Sequence, residues 1–341
     1  MFVIIYGHAQ ACGSHLDLAR FRADTQCVKT SMLAGLITAA AMCSGGCTAQ
    51  GQDSAAVSPV TNSSCALSPA EVALYRRAPT LIDWTARQIH DCPFLHKLRP
   101  APGQDQLPVI LERAAQTIER LLQDFPRVAC EEEVTSELTP LGRAHPLPAG
   151  VRRFRYIVLP NTSGGLPAFE EYRTDFDGNP PKLADMAMVT SDFVSIGLYL
   201  SAADQRESRF RHFGVAAIRH RNCQVVGFAQ DPAKARNIAR FNSRGASAAM
   251  LVQGLAWIDP ESFQILRVTT WLLAPRPDVG LSAQTSTVEF FPVQPSGTAR
   301  TLWLPRDVSV EGLCQGVYFH NTHHYSNFKL FRVESTVKPA A

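Results

Sequence analysis

The residues best suited to chemistry stand near the C-terminus, where three histidines occur within the five residues 320–324 (HNTHH). Imidazoles three and four residues apart can meet in a loop or a helical turn and bind Zn²⁺. No HExxH pattern and no carboxylate partner accompanies them, so the sequence shows neither the open coordination position nor the general base of a zinc enzyme. The stretch therefore favours a surface loop, with His320, His323 and His324 kept as weak candidates for metal ligands.

Three consecutive carboxylates, Glu131, Glu132 and Glu133, form the second candidate group. Strand alternation puts Glu131 and Glu133 on one face, where they could hold a cation or act as an acid and base pair. Because this strand begins the predicted sheet, we expect it near an edge. Charges that protect an edge strand from further pairing are then the better interpretation.

The remaining motifs are weaker. The DFDG stretch at 175–178 resembles a fragment of a calcium loop but lacks the other ligands and the closing Glu, so a hairpin turn is favoured. The SGG stretch at 163–165 has no helix start behind it to bind phosphate. No GxSxG sequence marks a hydrolase nucleophile, although spacing alone leaves a Ser/His/Asp triad open. We therefore predict no catalytic residue and no cofactor.

Charge argues against a nucleic-acid partner. The chain of 341 residues has a net charge of +3 and 18% charged residues, and a nucleic-acid-binding face would need a stronger basic bias. Two local basic stretches, RESRFRHFG at 206–214 and IRHRN at 218–222, alternate with apolar residues. We interpret them as the solvated faces of strands, with a phosphate-binding or acidic-partner patch as the alternative.

The N-terminus resembles an export signal. An apolar run at 32–42 is about as long as the core of a signal peptide and too short to span a bilayer. Residues 1–49 are predicted to be a leader, with the signal peptide at 28–46. Residues 1–27 are then interpreted as translated upstream sequence, with Val28 as an alternative start. The SGGC stretch ending at Cys47 loosely matches a lipobox, and an ordinary signal-peptidase site at Cys47-Thr48-Ala49 is the alternative. Residues 50–67 form a flexible tether.

Five of the nine cysteines belong to the exported body. None of them forms a CxxC pair, which makes a zinc ribbon or a thioredoxin-like site a poor interpretation. In an oxidising compartment one or two disulfides are plausible, with Cys65–Cys92 the first choice because both lie in the same helical segment. The pairing stays open among these five residues, which are Cys65, Cys92, Cys130, Cys223 and Cys314.

Helical signals begin after the tether. Ser68 and Glu71 form a capping box with Pro69 at the first helical position, so a helix should start at Pro69. Residues 68–106 are predicted to be a helical appendage and linker, and 107–338 the main domain. The clearest helix covers 109–123, where Ile110, Ala114 and Ile118 recur at helical spacing on one side.

A long series of strand candidates follows this helix. Its centre is the hairpin at 254–275, in which Leu255 and Trp257 share one face, while Ile265 and Trp271 have the same parity in the second strand. No crossover helices separate the strands, so the sheet should be antiparallel. We predict an α+β fold: a strongly curved antiparallel sheet (an open half-barrel) with an amphipathic helix on its concave face, plus the N-terminal helical appendage.

A family resemblance supports this architecture over residues 107–337. The chain resembles exported proteins of acidobacterial type and, through them, the lipoprotein-carrier superfamily of LolA, LolB and RseB types. The resemblance implies an unclosed barrel plugged by a helix, with a hydrophobic cavity for acyl chains or an apolar peptide. That family has no assigned catalytic residue to carry over. The stretches that carry the resemblance are LQDFPRVAC, FEEYRTDFDG, VTSDFVSIGLYLSAADQRESRFRHFG, VVGFAQDP, GLAWIDPESFQILRV, LWLPRDVSV and HHYSNFKLFRVES.

The expected function is that of a non-enzymatic exported binding protein in the periplasm or at the outer membrane. It would carry or sense a hydrophobic ligand such as a lipid, acyl chain or lipoprotein, with a possible envelope protein partner and membrane association through a lipidated Cys47. The alternatives are a hydrolase using the histidines at 320–324, and an envelope scaffold. The candidates for lining the cavity are Ile110, Ile118, Trp257, Ile265, Trp271, Val288, Phe290, Trp303, Phe328 and Leu330.

Overall fold

The computed structural model describes residues 2–5, 67–124, 128–147, 150–161, 168–180, 188–189, 197–236, 238–243 and 246–330. Apart from residues 2–5, the predicted leader and most of the tether lie outside these ranges. Cys47 and Cys65 lie outside them as well, so the expectations about export, lipidation and the Cys65–Cys92 pairing remain predictions. The SGG stretch at 163–165 is also outside.

The helices follow the sequence signals closely. Ser68 caps the first one: its hydroxyl accepts a hydrogen bond from the Glu71 backbone N–H, and the Glu71 carboxylate accepts one from the Ser68 N–H, so the predicted start at Pro69 is confirmed. The helix predicted over 109–123 is also present. The described α-helices are α1 (Pro69–Arg76), α2 (Ala86–His90) and α3 (Leu107–Asp124), with short 3₁₀ turns at Leu81–Asp83, Pro93–Leu95, Gly197–Leu200, Asp204–Glu207 and Pro277–Val279.

Most of the described chain is β-strand, as the alternating pattern predicts. The strands are β1 (Phe2–Ile5), β2 (Arg99–Pro100), β3 (Val128–Pro140), β4 (Gly150–Asn161), β5 (Ala168–Thr174), β6 (Met188–Val189), β7 (Ser208–Ile218), β8 (Arg221–Gln230), β9 (Ala239–Ser243), β10 (Ala246–Met250), β11 (Val252–Ile258), β12 (Ile265–Leu272), β13 (Leu281–Val293), β14 (Leu302–Cys314) and β15 (Val317–Leu330).

Eleven strands form one large sheet in the order β2-β7-β8-β11-β12-β13-β14-β15-β3-β4-β5. Every pairing in it is antiparallel, which confirms the predicted sheet type. The sheet is not closed into a barrel, since β2 and β5 end the order. A smaller sheet has the order β10-β9-β1-β6, in which β1 pairs with β9 in parallel.

Both faces of the large sheet are covered by other elements. On the side that we call the helix face, Ile110, Ala114 and Ile118 of α3 belong to one apolar cluster with sheet residues such as Val226 and Val288. On the side that we call the appendage face, Leu81, Trp84, Cys92 and Leu95 from the N-terminal segment belong to a second cluster with Val225, Leu255, Trp257 and Trp271. The N-terminal segment therefore shares a core with the sheet.

The central hairpin departs from the predicted parity in its second strand. Trp257 pairs with Arg267 and Ile258 pairs with Ile265, so Leu266 is an extra residue in β12. This bulge turns Ile265 to the helix face while Trp271 stays on the appendage face, and the prediction that they share a face is wrong. Gly254 is required by its close neighbours, because a Cβ there would overlap the Thr269 carbonyl oxygen and lie 2.9 Å from the Phe228 ring.

The described cysteines are of two kinds. Cys92 is disulfide-bonded, whereas Cys130, Cys223 and Cys314 remain buried thiols. The partner of Cys92 is therefore none of those three residues.

In the ranges that the structure describes, no helix combines the length and the apolar character needed to cross a membrane.

Candidate functional site

The most concentrated polar group in the described residues centres on Glu132. Strand β3 alternates between buried and half-exposed positions, and Glu132 shares the buried side with Val128 and Cys130 of the helix-face cluster. Its side chain is completely buried. The Arg173 guanidinium on β5 binds it in a bidentate manner, with Nε at 2.6 Å from Oε2 and Nη2 at 3.0 Å from Oε1.

Strand β15 supplies two more partners to the same carboxylate. The Nδ1 atom of His323 lies 2.8 Å from Oε1 of Glu132, and the Tyr325 hydroxyl donates to that oxygen at 2.9 Å. The Arg173 guanidinium also lies 4.9 Å from the centre of the Tyr156 ring on β4 and pairs with Glu171. The cluster therefore connects four neighbouring strands, β15, β3, β4 and β5. We refer to Glu132, Arg173, His323, Tyr325 and Tyr156 as the Glu132 cluster.

Burial and the ion pair determine the charges in this cluster. Burial alone would raise the pKa of the Glu132 carboxyl, but the Arg173 charge and the hydrogen bond from His323 outweigh burial and lower that pKa to about 2. Burial lowers the pKa of His323 and raises the pKa of the Tyr325 hydroxyl well above its usual value. Burial also raises the pKa of the Tyr156 hydroxyl well above its usual value. At neutral pH the cluster thus holds one carboxylate and one guanidinium in contact, a neutral imidazole and two protonated phenols.

The arrangement suits a fixed connection better than catalysis. The side chains of Glu132, His323 and Arg173 are 0%, 1% and 7% exposed, so none of them presents a proton-transfer group to solvent. The Tyr156 hydroxyl is buried and has no hydrogen-bond partner among the residues that the structure describes. A buried ion pair with matched hydrogen bonds across four strands holds those strands in register, while its loss would leave an uncompensated charge.

The histidine stretch differs from the predicted surface loop, because it lies inside β15. His320 and His324 point to one side, where His324 Nδ1 is 2.6 Å from Asp307 and His320 is hydrogen-bonded with Ser309. His323 points to the other side and is buried. The three imidazoles do not converge, and in the described ranges no group of three or more potential ligands is placed to hold a metal. The hydrolase alternative loses its candidate residues.

The edge interpretation of the Glu131–Glu133 stretch is also wrong. Strand β3 lies between β15 and β4, two strands from the β5 end of the sheet, because the C-terminal strand returns to pair with it. Glu131 and Glu133 do share the other side of the strand, where Glu133 pairs with Arg153 and Glu131 accepts a hydrogen bond from Asn327. At the DFDG stretch a turn is present, with Gly178 at a φ of 90°, but no strand in the described ranges follows it to pair with β5, so the hairpin remains a prediction.

The predicted cavity residues divide between the two faces. Trp257 and Trp271 lie on the appendage face with the N-terminal segment, so grouping them with α3 is wrong. The others belong to the helix-face cluster or pack against it: Ile110, Ile118, Ile265, Val288, Phe290, Trp303, Phe328 and Leu330. Trp303 also packs against the appendage-face cluster. Whether these residues contact a ligand remains a prediction.

Helix α3 is only partly seated on its face of the sheet. Its inner positions Ala114 and Ile118 are buried, while Leu111, Leu121 and Leu122 are half-buried and pack against the cluster from its side. Two hydrogen bonds with residues outside the helix also attach it to the rest of the fold. The Thr117 hydroxyl is 3.0 Å from the Phe263 carbonyl oxygen, and the Gln205 amide donates to the Leu111 carbonyl oxygen at 2.8 Å.

The Glu132 cluster was missed by sequence reasoning, although a signal was present. Glu132 continues the buried alternation of Val128 and Cys130, and His323 continues that of Phe319 and Tyr325. A charged residue at a buried position of a strand must have a buried partner, and that requirement could have marked both. The sequence around Arg173 gave no comparable signal that this residue is buried.

Comparison with known proteins leaves the function open. No protein-family model matches the chain, and no curated protein matches it. It is similar to a DUF1329 family protein from Desulfovibrio piger, at 12% identity and a TM-score of 0.38 over 68% of this chain and 95% of that chain. It is also similar to a putative outer membrane lipoprotein-sorting protein domain from Vibrio parahaemolyticus, at 11% identity and a TM-score of 0.35 over 64% of this chain and 91% of that chain.

Proposed function

We propose that the protein is an exported, non-enzymatic binding protein that holds the alkyl part of a lipid-like ligand between α3 and the helix face. In this proposal the sheet curves around α3, and the ligand comes from the cell envelope as a lipid, an acyl chain or the acyl group of a lipoprotein. The observation that carries the proposal is the partial seating of α3, with three leucines half-buried beside an apolar sheet face.

A comparison of dimensions supports it. Helix α3 has 18 residues, which makes it about 27 Å long and about 10 Å wide with its side chains. Eleven strands spaced by about 4.8 Å extend over roughly 48 Å, so one helix covers only a part of the sheet. Residues from β9 and β10, among them Phe241 and Met250, cover another part. Apolar surface beside a single helix is the kind of site that apolar ligands use.

The energetics favour a helix that moves to admit its ligand. Each methylene group that leaves water contributes about 0.8 kcal/mol, so a few methylenes offset the two hydrogen bonds that Thr117 and Gln205 add to α3. A displaced α3 would keep its own backbone hydrogen bonds and expose the helix face. In the lipobox interpretation, the lipid on Cys47 and the predicted 50–67 tether would hold this domain near a membrane that supplies the ligand.

The test compares charge insertion at half-buried and exposed positions of the same helix. Native mass spectrometry of the gently purified mature protein should show a bound lipid, and a fluorescent apolar probe such as N-phenyl-1-naphthylamine should bind once the lipid is removed. Leu121→Arg or Leu122→Arg should weaken probe binding at least tenfold, whereas Gln116→Arg on the exposed side should leave it unchanged. Absence of both lipid and probe binding, with all variants folded, would refute the proposal.

A further inference from the structure

A second candidate site lies on the appendage face, where two arginines contact the Phe291 ring and a third shares the Glu289 carboxylate with one of them. The guanidinium carbons of Arg306 and Arg219 lie 3.3 Å and 3.9 Å from the centre of the Phe291 ring. Two such groups cannot occupy one side of a ring at these distances without overlapping, so they stack on opposite sides. Arg267 lies close by, with its guanidinium 5.5 Å from the Trp257 ring. We call Arg219, Arg267 and Arg306 the arginine cluster.

The backbone at Arg219 holds this residue in an unfavourable conformation. Arg219 and His220 form the two-residue turn between β7 and β8, with φ values of 47° and 64°. Such turns normally use Asn-Gly or Gly, since other residues rarely adopt positive φ. The turn lets Arg219 Nη2 reach the carbonyl oxygens of Leu266 and Phe290, at 2.8 and 2.9 Å. Both residues are at register shifts of the sheet, so Arg219 is fixed in place across several strands.

The carboxylates around the cluster do not balance its charge. Glu289 is shared between Arg219, at 3.4 Å, and Arg267. Asp307 pairs with Arg306 at 3.0 Å through one oxygen and with His324 through the other. Arg221, the first residue of β8, already pairs with Asp259. Within the described part of the chain, three guanidinium groups thus face two carboxylates, and burial together with repulsion from Arg267 and Arg306 lowers the pKa of Arg219.

We propose that the arginine cluster binds a phosphate group. The side chains of Arg219, Arg267 and Arg306 are 29%, 32% and 40% exposed, so donor groups of the cluster reach solvent. A guanidinium presents its donors in a planar fork that matches the oxygens of phosphate, and stacking on Phe291 fixes the planes of two forks in advance. The excess of positive charge at this partly exposed site favours the binding of an anion. The IRHRN stretch at 218–222 then serves as part of a phosphate site, which is independent of the apolar site beside α3.

The experiment measures phosphate affinity by isothermal titration of the mature protein at constant ionic strength. The wild type should bind inorganic phosphate saturably. Arg306→Gln should weaken the affinity at least tenfold, and Arg306→Lys should restore only part of it, because lysine keeps the charge but not the fork. Arg153→Gln serves as the matched control, since Arg153 is an exposed arginine on β4 that pairs with Glu133 on β3. Arg306 is chosen because Arg219 also satisfies backbone carbonyls.

A second arm distinguishes a free phosphate compound from a lipid headgroup. Vesicles of phosphatidylcholine with and without phosphatidylglycerol are sedimented with the protein lacking its leader. Sedimentation only with phosphatidylglycerol, reduced by Arg306→Gln and not by Arg153→Gln, identifies a headgroup as the source. Phosphate binding without sedimentation identifies a small phosphorylated ligand. The proposal is overturned when neither phosphate nor vesicles bind, or when Arg306→Gln and Arg153→Gln behave alike while both variants melt like the wild type.

Discussion

At Glu132 a single carboxylate oxygen, Oε1, is in hydrogen-bond contact with Arg173, His323 and Tyr325. This concentration of partners explains how a charge is retained at a fully buried position of a strand, where an unpaired carboxylate would take up a proton. The same contacts orient His323, whose Nδ1 faces the carboxylate. A neutral imidazole that donates one hydrogen bond is the form that this environment favours.

His323 should make stability depend on pH below neutrality. Burial lowers its pKa in the folded protein, so the unfolded chain binds more protons once the pH falls below 6.5. Stability conferred by the neutral imidazole is therefore present above pH 6.5 and is lost as the pH falls, by up to about 1.4 kcal/mol per pH unit. Urea unfolding at pH 7.5 and 5.5 should show this decrease.

His323→Asn provides the comparison, because its amide nitrogen can take the place of Nδ1 without titrating. This variant should show a smaller decrease between pH 7.5 and 5.5 than the wild type, whereas His90→Gln, at an exposed position of α2, should leave the decrease unchanged. The pH window lies above the pKa of Glu132, so protonation of that carboxylate does not contribute. Equal decreases in all three proteins would contradict the assignment.

Among the elements, β5 depends most on the Glu132 cluster. Among the described strands it ends the large sheet and has β4 as its one neighbour, while Arg173 connects it directly to Glu132 on β3. An end strand with one neighbour is held by half the backbone hydrogen bonds of an interior strand, so a buried ion pair across two strand spacings has a large effect on its attachment.

Glu132→Gln should loosen this end of the sheet. The amide keeps the shape of the side chain but leaves the Arg173 charge without its bidentate partner, and breaking a buried pair in this way costs about 3–5 kcal/mol. We expect that loss of unfolding free energy, together with faster hydrogen exchange in β4 and β5 than in β11 and β12. Glu133→Gln, at the half-exposed neighbouring position, should cost less than about 1 kcal/mol. Similar values for both variants would show that the cluster does not hold these strands.

For the whole molecule, the large sheet separates two layers that differ in their attachment. The appendage layer is anchored by an extended apolar cluster and by polar contacts such as the Leu81 backbone N–H to Gln253, at 2.7 Å. The layer on the helix face includes α3, with half-buried leucines and few polar contacts outside its own ladder. This asymmetry supports the proposal that α3 moves to admit a ligand on the helix face.

The disulfide of Cys92 should stabilise the appendage layer. Alkylation of the unfolded protein without reductant should label Cys130, Cys223 and Cys314 but not Cys92, and peptide mapping should find Cys92 joined to Cys65. Reduction should lower the unfolding free energy by about 2–4 kcal/mol, because the open chain gains conformational freedom. Labelling of Cys92 before reduction would contradict the bond, and a different partner would correct only the predicted pairing.

The sequence by itself determined the local elements of this protein. The capping box at Ser68, the helical spacing of Ile110, Ala114 and Ile118, and the alternation along the strands each depend on neighbours a few residues apart, so α1, α3 and the antiparallel strands were predictable. Only the tertiary structure decided what meets across the sheet. Pairing of β15 with β3 brings His323 to Glu132 over 191 residues, and the Leu266 bulge reverses the face of Ile265. Long-range pairing and bulges depend on contacts between distant segments, which a local period does not record.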